Sequence, residues 1–341
     1  MRDRRILLIL PLAILTLAQG GFAVGQQAAA KKTGNYSVTK KTVEGHVTYH
    51  LRDSARKMEV GLVPDIGNFA YEFKANGKDV LIAPESFQGW VFIPTGRVTF
   101  SITGAPRCAV SCSPAPFSGS TATTRTEVVK SGGSEAAGAF ITSRLEFYKY
   151  PDLMANFPFA HVYEITYRLK DGKLECTTQV TNVGNSVMPV HFGYHPYFRP
   201  DGPRAGWTVS IGAKKHWLTE RELIPTGETE PTERFLPGVT RGVKLGDAFV
   251  DAGFSDLDRD AKGLGHIWTK GQTEKIEVLY SKEYDYAVVY APLDNTLICL
   301  EPMTGPANAF NLEHEGKFQG LLTLEPGKTF KASYWIVPTG F

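Results

Sequence analysis

From Tyr36 onward the chain is written in short alternations of apolar and polar residues. Alternation with a period of two is the mark of a half-buried strand. It runs through 47–51, 57–62 and 70–73, and further strand-like runs lie at 80–82, 91–93, 98–102, 140–147, 161–169, 174–181, 186–193 and 207–212. Others lie at 276–280, 286–290, 297–301, 319–324 and 329–337. Turn signals separate many of these runs: Asn76-Gly77, Asp171-Gly172, Asn182-Val183-Gly184 and Pro326-Gly327. No long stretch holds apolar residues at a helical spacing. Many short strands with frequent turns predict an all-β sandwich. No repeat of fixed period and no compositional break marks a linker, so residues 36–341 read as a single domain. Residues 103–138, rich in Ser, Thr, Ala, Gly and Pro, are too long for an ordinary loop and form either an excursion over the site or a poorly ordered segment.

The beginning of the chain follows another pattern. Arg2, Arg4 and Arg5 precede an apolar run from Ile6 to Ala18, and Ala23-Val24-Gly25 suits a cleavage site. The run is short for a transmembrane helix. The expectation is a signal peptide over 1–25, a disordered leader over 26–35, and an exported protein, periplasmic or secreted, with no membrane span after cleavage. Removing residues 1–25 takes away three basic residues and one acidic one and leaves 34 of each. A balance near zero gives no footprint for nucleic acid or an anionic membrane.

The chain has four cysteines. Cys108 and Cys112 lie close together and form either a local disulfide or two surface thiols. Cys176 and Cys299 sit in strand-like runs and read as small core residues. No CxxC or mixed Cys/His spacing suggests zinc, so no metal site is expected.

Two distant segments carry candidate chemistry. At 193–198 the chain reads Gly-Tyr-His-Pro-Tyr-Phe, and at 299–308 Cys-Leu-Glu-Pro-Met-Thr-Gly-Pro-Ala-Asn. Pro196 favours an extended His195 at a strand end. His191, four residues earlier, would lie roughly 13 Å away on a strand, too far to share a metal. Glu301 closes an apolar run and leads into a loop with Thr304 and Asn308, whereas Glu325, in the similar Leu324-Glu325-Pro326-Gly327, leads only into a turn. Residue type alone leaves His195 and Glu301 between packing roles and a proton-transfer pair.

Both segments resemble the aldose 1-epimerase (galactose mutarotase) family. So do Phe157-Pro158-Phe159 before the strand pair 163–169 and 174–182, Ile224-Pro225-Thr226-Gly227-Glu228, Asp251-Ala252-Gly253-Phe254 and Pro94-Thr95-Gly96-Arg97. The resemblance covers 140–338 well and 55–100 weakly. It implies a galactose mutarotase-like β-supersandwich with a sugar-binding cleft. It implies interconversion of the α and β anomers of an aldose, a monosaccharide substrate. By the same resemblance Glu301 is the general base on the C1 hydroxyl and His195 the acid on the ring oxygen. The proton chemistry so implied calls for no cofactor. Asp251 and Arg97 bind sugar oxygens, and Tyr194, Tyr197 and Trp90 could offer apolar faces to the sugar. One departure stands out. The family usually carries a second histidine after the matched arginine, and here no histidine lies between His50 and His161. Either another donor replaces it, or the chain is a divergent member with an altered substrate or lost activity. Two further readings follow. One is a non-catalytic carbohydrate-binding protein on the same scaffold. The other is a mutarotase for phosphorylated hexoses, with Arg199, Arg204, Lys214 and Lys215 as candidate phosphate ligands.

Overall fold

Strands His161–Lys170 and Lys173–Asn182 show how the sequence pattern becomes structure. Their burial alternates residue by residue, and a tight turn at Asp171-Gly172, both at positive φ, joins them in register. In this computed structural model residues 34–83, 87, 100–102, 126–220, 224–293 and 296–341 are described, with the backbone alone for 100–102 and 156. The expected signal peptide over 1–25, Trp90, Arg97, Cys108, Cys112, the run at 91–93 and most of 103–138 lie outside the described residues.

Every strand pairing is antiparallel among the described residues. A nine-stranded sheet runs from Val243–Lys244 through Thr208–Ile211, Gly265–Lys270, Lys275–Tyr280, Thr329–Thr339, Lys173–Asn182, His161–Lys170 and Gly138–Glu146 to Glu127–Ser134. A second sheet runs through Pro225–Pro231, Ala213–Thr219, Val250–Leu257, Tyr286–Ala291, Ile298–Met303, Phe192–Tyr194 and Phe100–Ile102, with Tyr197–Phe198 also paired to Ile298–Met303. A meander of five strands covers Tyr36–Val43 to Lys78–Asp79. One continuous core joins these three sheets. Tyr334 and Ile336 come from the first, Phe254 and Leu300 from the second, and Leu51 and Phe73 from the meander. This is the expected all-β sandwich. Among the described residues the α-helices are Pro151–Asn156, Thr232–Phe235 and Ala309–His314, with 3-10 turns at Phe147–Lys149 and Arg204–Gly206, and no helix is long and apolar enough to cross a membrane.

Several expectations shift in detail. The run at 186–193 is two strands, because the chain changes sheets at His191. Met188–Val190 pairs with Leu322–Leu324, and Phe192–Tyr194 pairs with Phe100–Ile102. Residues 80–82 form no strand, although Val80 and Leu81 are fully buried. Glu301 does not end its strand. Pro302 extends it to Met303, with a φ that suits an extended chain.

Gly193 is paired with Met303, and a Cβ there would lie 2.0 Å from the Met303 sulfur and 3.0 Å from the Pro302 carbonyl. Gly193→Ala is therefore expected to push these strands apart and lower stability by about 1–3 kcal/mol, as overpacking does. A shift of the urea unfolding midpoint at unchanged slope measures it.

Candidate active site

Side-chain alternation sorts the second sheet into two faces. On Ile298–Met303, Ile298 and Leu300 enter the core while Glu301 and Met303 face a pocket. On Tyr286–Ala291, Ala287, Val289 and Ala291 enter the core while Tyr286 and Val288 face the pocket. On Val250–Leu257, Val250 and Phe254 are core while Asp251 and Gly253 face it. The pocket has about 540 Å³ of empty volume, open solvent included, and His195, Thr219, Pro225 and Ala307 complete its walls. The pairing row Gly253–Val288–Glu301 leads to the carboxyl over small side chains. Gly253 has no room for a side chain, since a Cβ there would sit 1.6 Å from the Tyr286 hydroxyl oxygen.

His195 and Glu301 meet although 105 positions separate them in the sequence: Nε2 lies 3.1 Å from Oε1. Glu301 is 3% exposed, and no donor is aligned on Oε1 in hydrogen-bond geometry. Burial pushes this carboxyl well above the ordinary carboxylate range, and the Asp251 charge pushes it further. Burial also raises Asp251, to about 6. His195 occupies the break between Phe192–Tyr194 and Tyr197–Phe198, where Pro196 lacks the N–H to continue a ladder. Its ring stacks on Tyr197, centroids 4.6 Å apart at 20°, and Tyr290 stands edge-on to it at 6.4 Å.

The loop after Glu301 is tied to the strand before His195 by one side chain. The Thr304 hydroxyl accepts from the Phe192 N–H at 2.9 Å and donates to the Phe192 carbonyl at 3.1 Å, and the Thr304 N–H reaches the same carbonyl at 2.9 Å. Thr304 is buried and is a clamp, not a rim residue.

Of the residues expected at the site, Glu301, His195 and Asp251 come together in the pocket, and Tyr197 supports His195 from the side. Tyr194 corrects an expectation. It is 1% exposed and points into the core, where its hydroxyl bonds Thr178 and its ring packs on Tyr334. It shares the core face with Phe192, two residues before it, while His195 follows on the other side. Tyr286, Thr219 and Met303 line the pocket and were not singled out in the sequence. Tyr286 is visible there only as an aromatic in an alternating strand, which is also what a core residue looks like. The candidate phosphate ligands point elsewhere. The Arg204 guanidinium donates to the carbonyls of Gly246, Ala248 and Ala291, and Arg199 to that of Thr296. Lys214 and Lys215 pair with Asp258 and Asp256.

The raised Asp251 carboxyl has a thermodynamic consequence. Between the unfolded value near 4 and the folded value of about 6, the native chain holds a proton that the unfolded chain has released. Stability therefore falls as pH rises through that window, by an amount on the order of 2–3 kcal/mol from this group. Asp251→Asn should stabilise the fold at pH 7 by about 2 kcal/mol and flatten the decline between pH 4 and 6. Denaturant unfolding of both proteins across that window reads the difference. Equal pH slopes would contradict it.

The profile of the aldose 1-epimerase family matches residues 139–336. Among solved structures, a galactose mutarotase-like protein from Clostridium acetobutylicum superposes with a TM-score of 0.73 at 20% identity, covering 90% of this chain and 99% of its own. A protein from Synechocystis gives 0.68 at 22%, covering 88% and 97%. A galactose 1-epimerase from Lactobacillus acidophilus gives 0.66 at 12%, covering 91% and 100%. The strand order and pairing described above are thus a galactose mutarotase-like fold, and the profile match spans most of the strands that build the pocket. The chain belongs to the aldose 1-epimerase family.

Proposed function

We propose that this protein interconverts the α and β anomers of a free aldose, with Glu301 and His195 as the proton-transfer pair. The observation that carries the reading is the contact of a buried carboxyl with an imidazole at 3.1 Å on the wall of an open pocket. The two oxygens of a hemiacetal share one carbon, so a base and an acid that serve both must converge on nearly one point. Glu301, ionised, takes the proton of the C1 hydroxyl. His195, protonated, gives one to the ring oxygen as the C1–O bond breaks. The aldehyde turns about its C1–C2 bond, and closure on the other face returns each proton to where it began. The pair carries one proton in total throughout, shared in turn between the two side chains. No net proton enters or leaves, and each transfer supplies ~10²–10⁴-fold in rate.

Asp251 offers acceptor oxygens to sugar hydroxyls across the pocket. Arg97 is assigned to sugar oxygens by family resemblance. The absence of a lysine or arginine among the described pocket walls favours a neutral sugar over a phosphorylated one. The apolar run with its basic flank at 6–18 supports an exported protein, periplasmic or secreted, cleaved near Gly25.

Anomer exchange measured by NMR saturation transfer on glucose and galactose tests the proposal. Glu301→Gln keeps the side chain's shape and removes the base, so exchange should fall to the uncatalysed rate with folding intact. His195→Asn should lose at least ~10²-fold. Near-native exchange in Glu301→Gln would sink the assignment. Because one proton is shared by the pair, kcat/KM should follow a bell, lost at low pH when both groups are protonated and at high pH when neither is. Sugar binding by calorimetry without any acceleration would instead identify a carbohydrate-binding protein.

A further inference from the structure

We propose that His195, Cys299 and Glu301 form a binding site for a thiophilic divalent cation, zinc above all, at the edge of the pocket, with His195 and Glu301 on its wall and Cys299 buried behind them. One ligand atom from each side chain lies within 4.8 Å of the other two. Two ligands on a tetrahedral zinc stand about 3.4 Å apart for nitrogen and oxygen, and about 3.5 Å for nitrogen and sulfur. The His195–Glu301 separation of 3.1 Å is already close to that spacing, so side-chain rotation of little more than ~1 Å completes the set.

The backbone arrangement is suited to the task. Cys299 and Glu301 are two residues apart on one strand and project from the same face. The third ligand comes from the adjoining segment, whose Tyr197 pairs directly with Cys299. A second observation points the same way: the Glu301 Oε1 atom is buried with no aligned hydrogen-bond donor. Because His195 and Glu301 face the pocket, water can take the fourth position of a tetrahedral ion. A thiolate, an imidazole and a carboxylate suit zinc better than magnesium or calcium, which prefer oxygen alone.

The other convergent cluster among the described residues, His50 with Glu59 and Glu72, behaves differently. Lys41 and Arg52 pair with Glu59, and Lys74 with Glu72, so its carboxylates are already neutralised. At His195, Cys299 and Glu301 the ligands come from both sides of a 103-residue gap, which is why no zinc spacing is visible in the sequence. A cation held there occupies both proton-transfer groups. Resting on the acid/base reading above, zinc would then inhibit anomer exchange.

The test uses the full chain carrying Cys108→Ser and Cys112→Ser, so that no thiol at those positions contributes. Cobalt(II) titration should give one equivalent of a complex with a thiolate-to-cobalt charge-transfer absorption, displaced by zinc. Adding Cys299→Ser should abolish the band, and zinc affinity, read by a competing chelating dye, should fall at least ~100-fold, since even an outer-shell partner is worth 10–100-fold. His195→Asn should weaken zinc comparably, which keeps the test decisive if the Cys299 variant does not fold. No charge-transfer band in the starting protein, a band that survives Cys299→Ser, or unchanged zinc affinity in His195→Asn overturns the site. The cobalt signal does not depend on turnover, so a protein inactive on every sugar would overturn the enzyme reading and leave the metal site standing.

Discussion

The site depends on the two-faced strand Ile298–Met303. Its Ile298 and Leu300 are wholly buried in the main core, which fixes the opposite face to Cys299, Glu301 and Met303. A slip of one residue would drive a carboxylate into the core and pull two large aliphatic side chains out of it, at a cost of several kcal/mol. Hydrophobic burial on one side of a single strand thus holds a carboxyl on the other side, where water cannot solvate it well. The raised affinity of Glu301 for its proton follows from position, because the desolvating walls, Tyr286, Val288 and Met303, are fixed by the same pairing.

A base so placed is useful only if its partner stays in register. Phe192 is anchored in the core, and the three bonds it shares with Thr304 tie the two segments on either side of the site together. These bonds are neutral and buried, so they are insensitive to pH and salt while the groups they position titrate. The stacking of His195 on Tyr197 completes the support by restricting the ring from its side.

Much of this was legible in the residues. The alternation at 161–169 and 174–181 gave the central hairpin, and the His-Pro and Glu-Pro segments marked both proton-transfer candidates. What stayed hidden has physical causes. Val250–Leu257 alternates over Val250–Ser255, but its apolar side is thinned by the small Ala252, Gly253 reads equally as a turn signal, and Asp256 breaks the period before Leu257; Asp251 and Gly253 face the pocket. Ala213–Thr219 was masked by Lys214 and Lys215, which are exposed and paired with acids. Glu127–Ser134 is a solvated edge with too little burial to imprint a pattern. Tyr194 misled because an aromatic beside a candidate histidine looks the same whether it faces sugar or core, and only the pleat decides. The meeting of Cys299 with His195 required the fold itself, since no local spacing encodes it.

The strand Thr329–Thr339 lies between Lys275–Tyr280 and Lys173–Asn182, near the middle of the nine-stranded sheet, with Ser333 opposite Thr177 and Ile336 opposite Val278. It follows all the other strands of that sheet in sequence. During synthesis the halves of that sheet emerge in order but cannot join until this segment has left the ribosome. Each half contains consecutive antiparallel neighbours, such as Gly138–Glu146 with His161–Lys170, that can pair locally, but the sheet that unites the halves waits for this strand and for the loop-closure cost of its non-local pairing with Lys173–Asn182. Until then, any machinery that handles the chain meets two unjoined half-sheets in place of a finished sandwich.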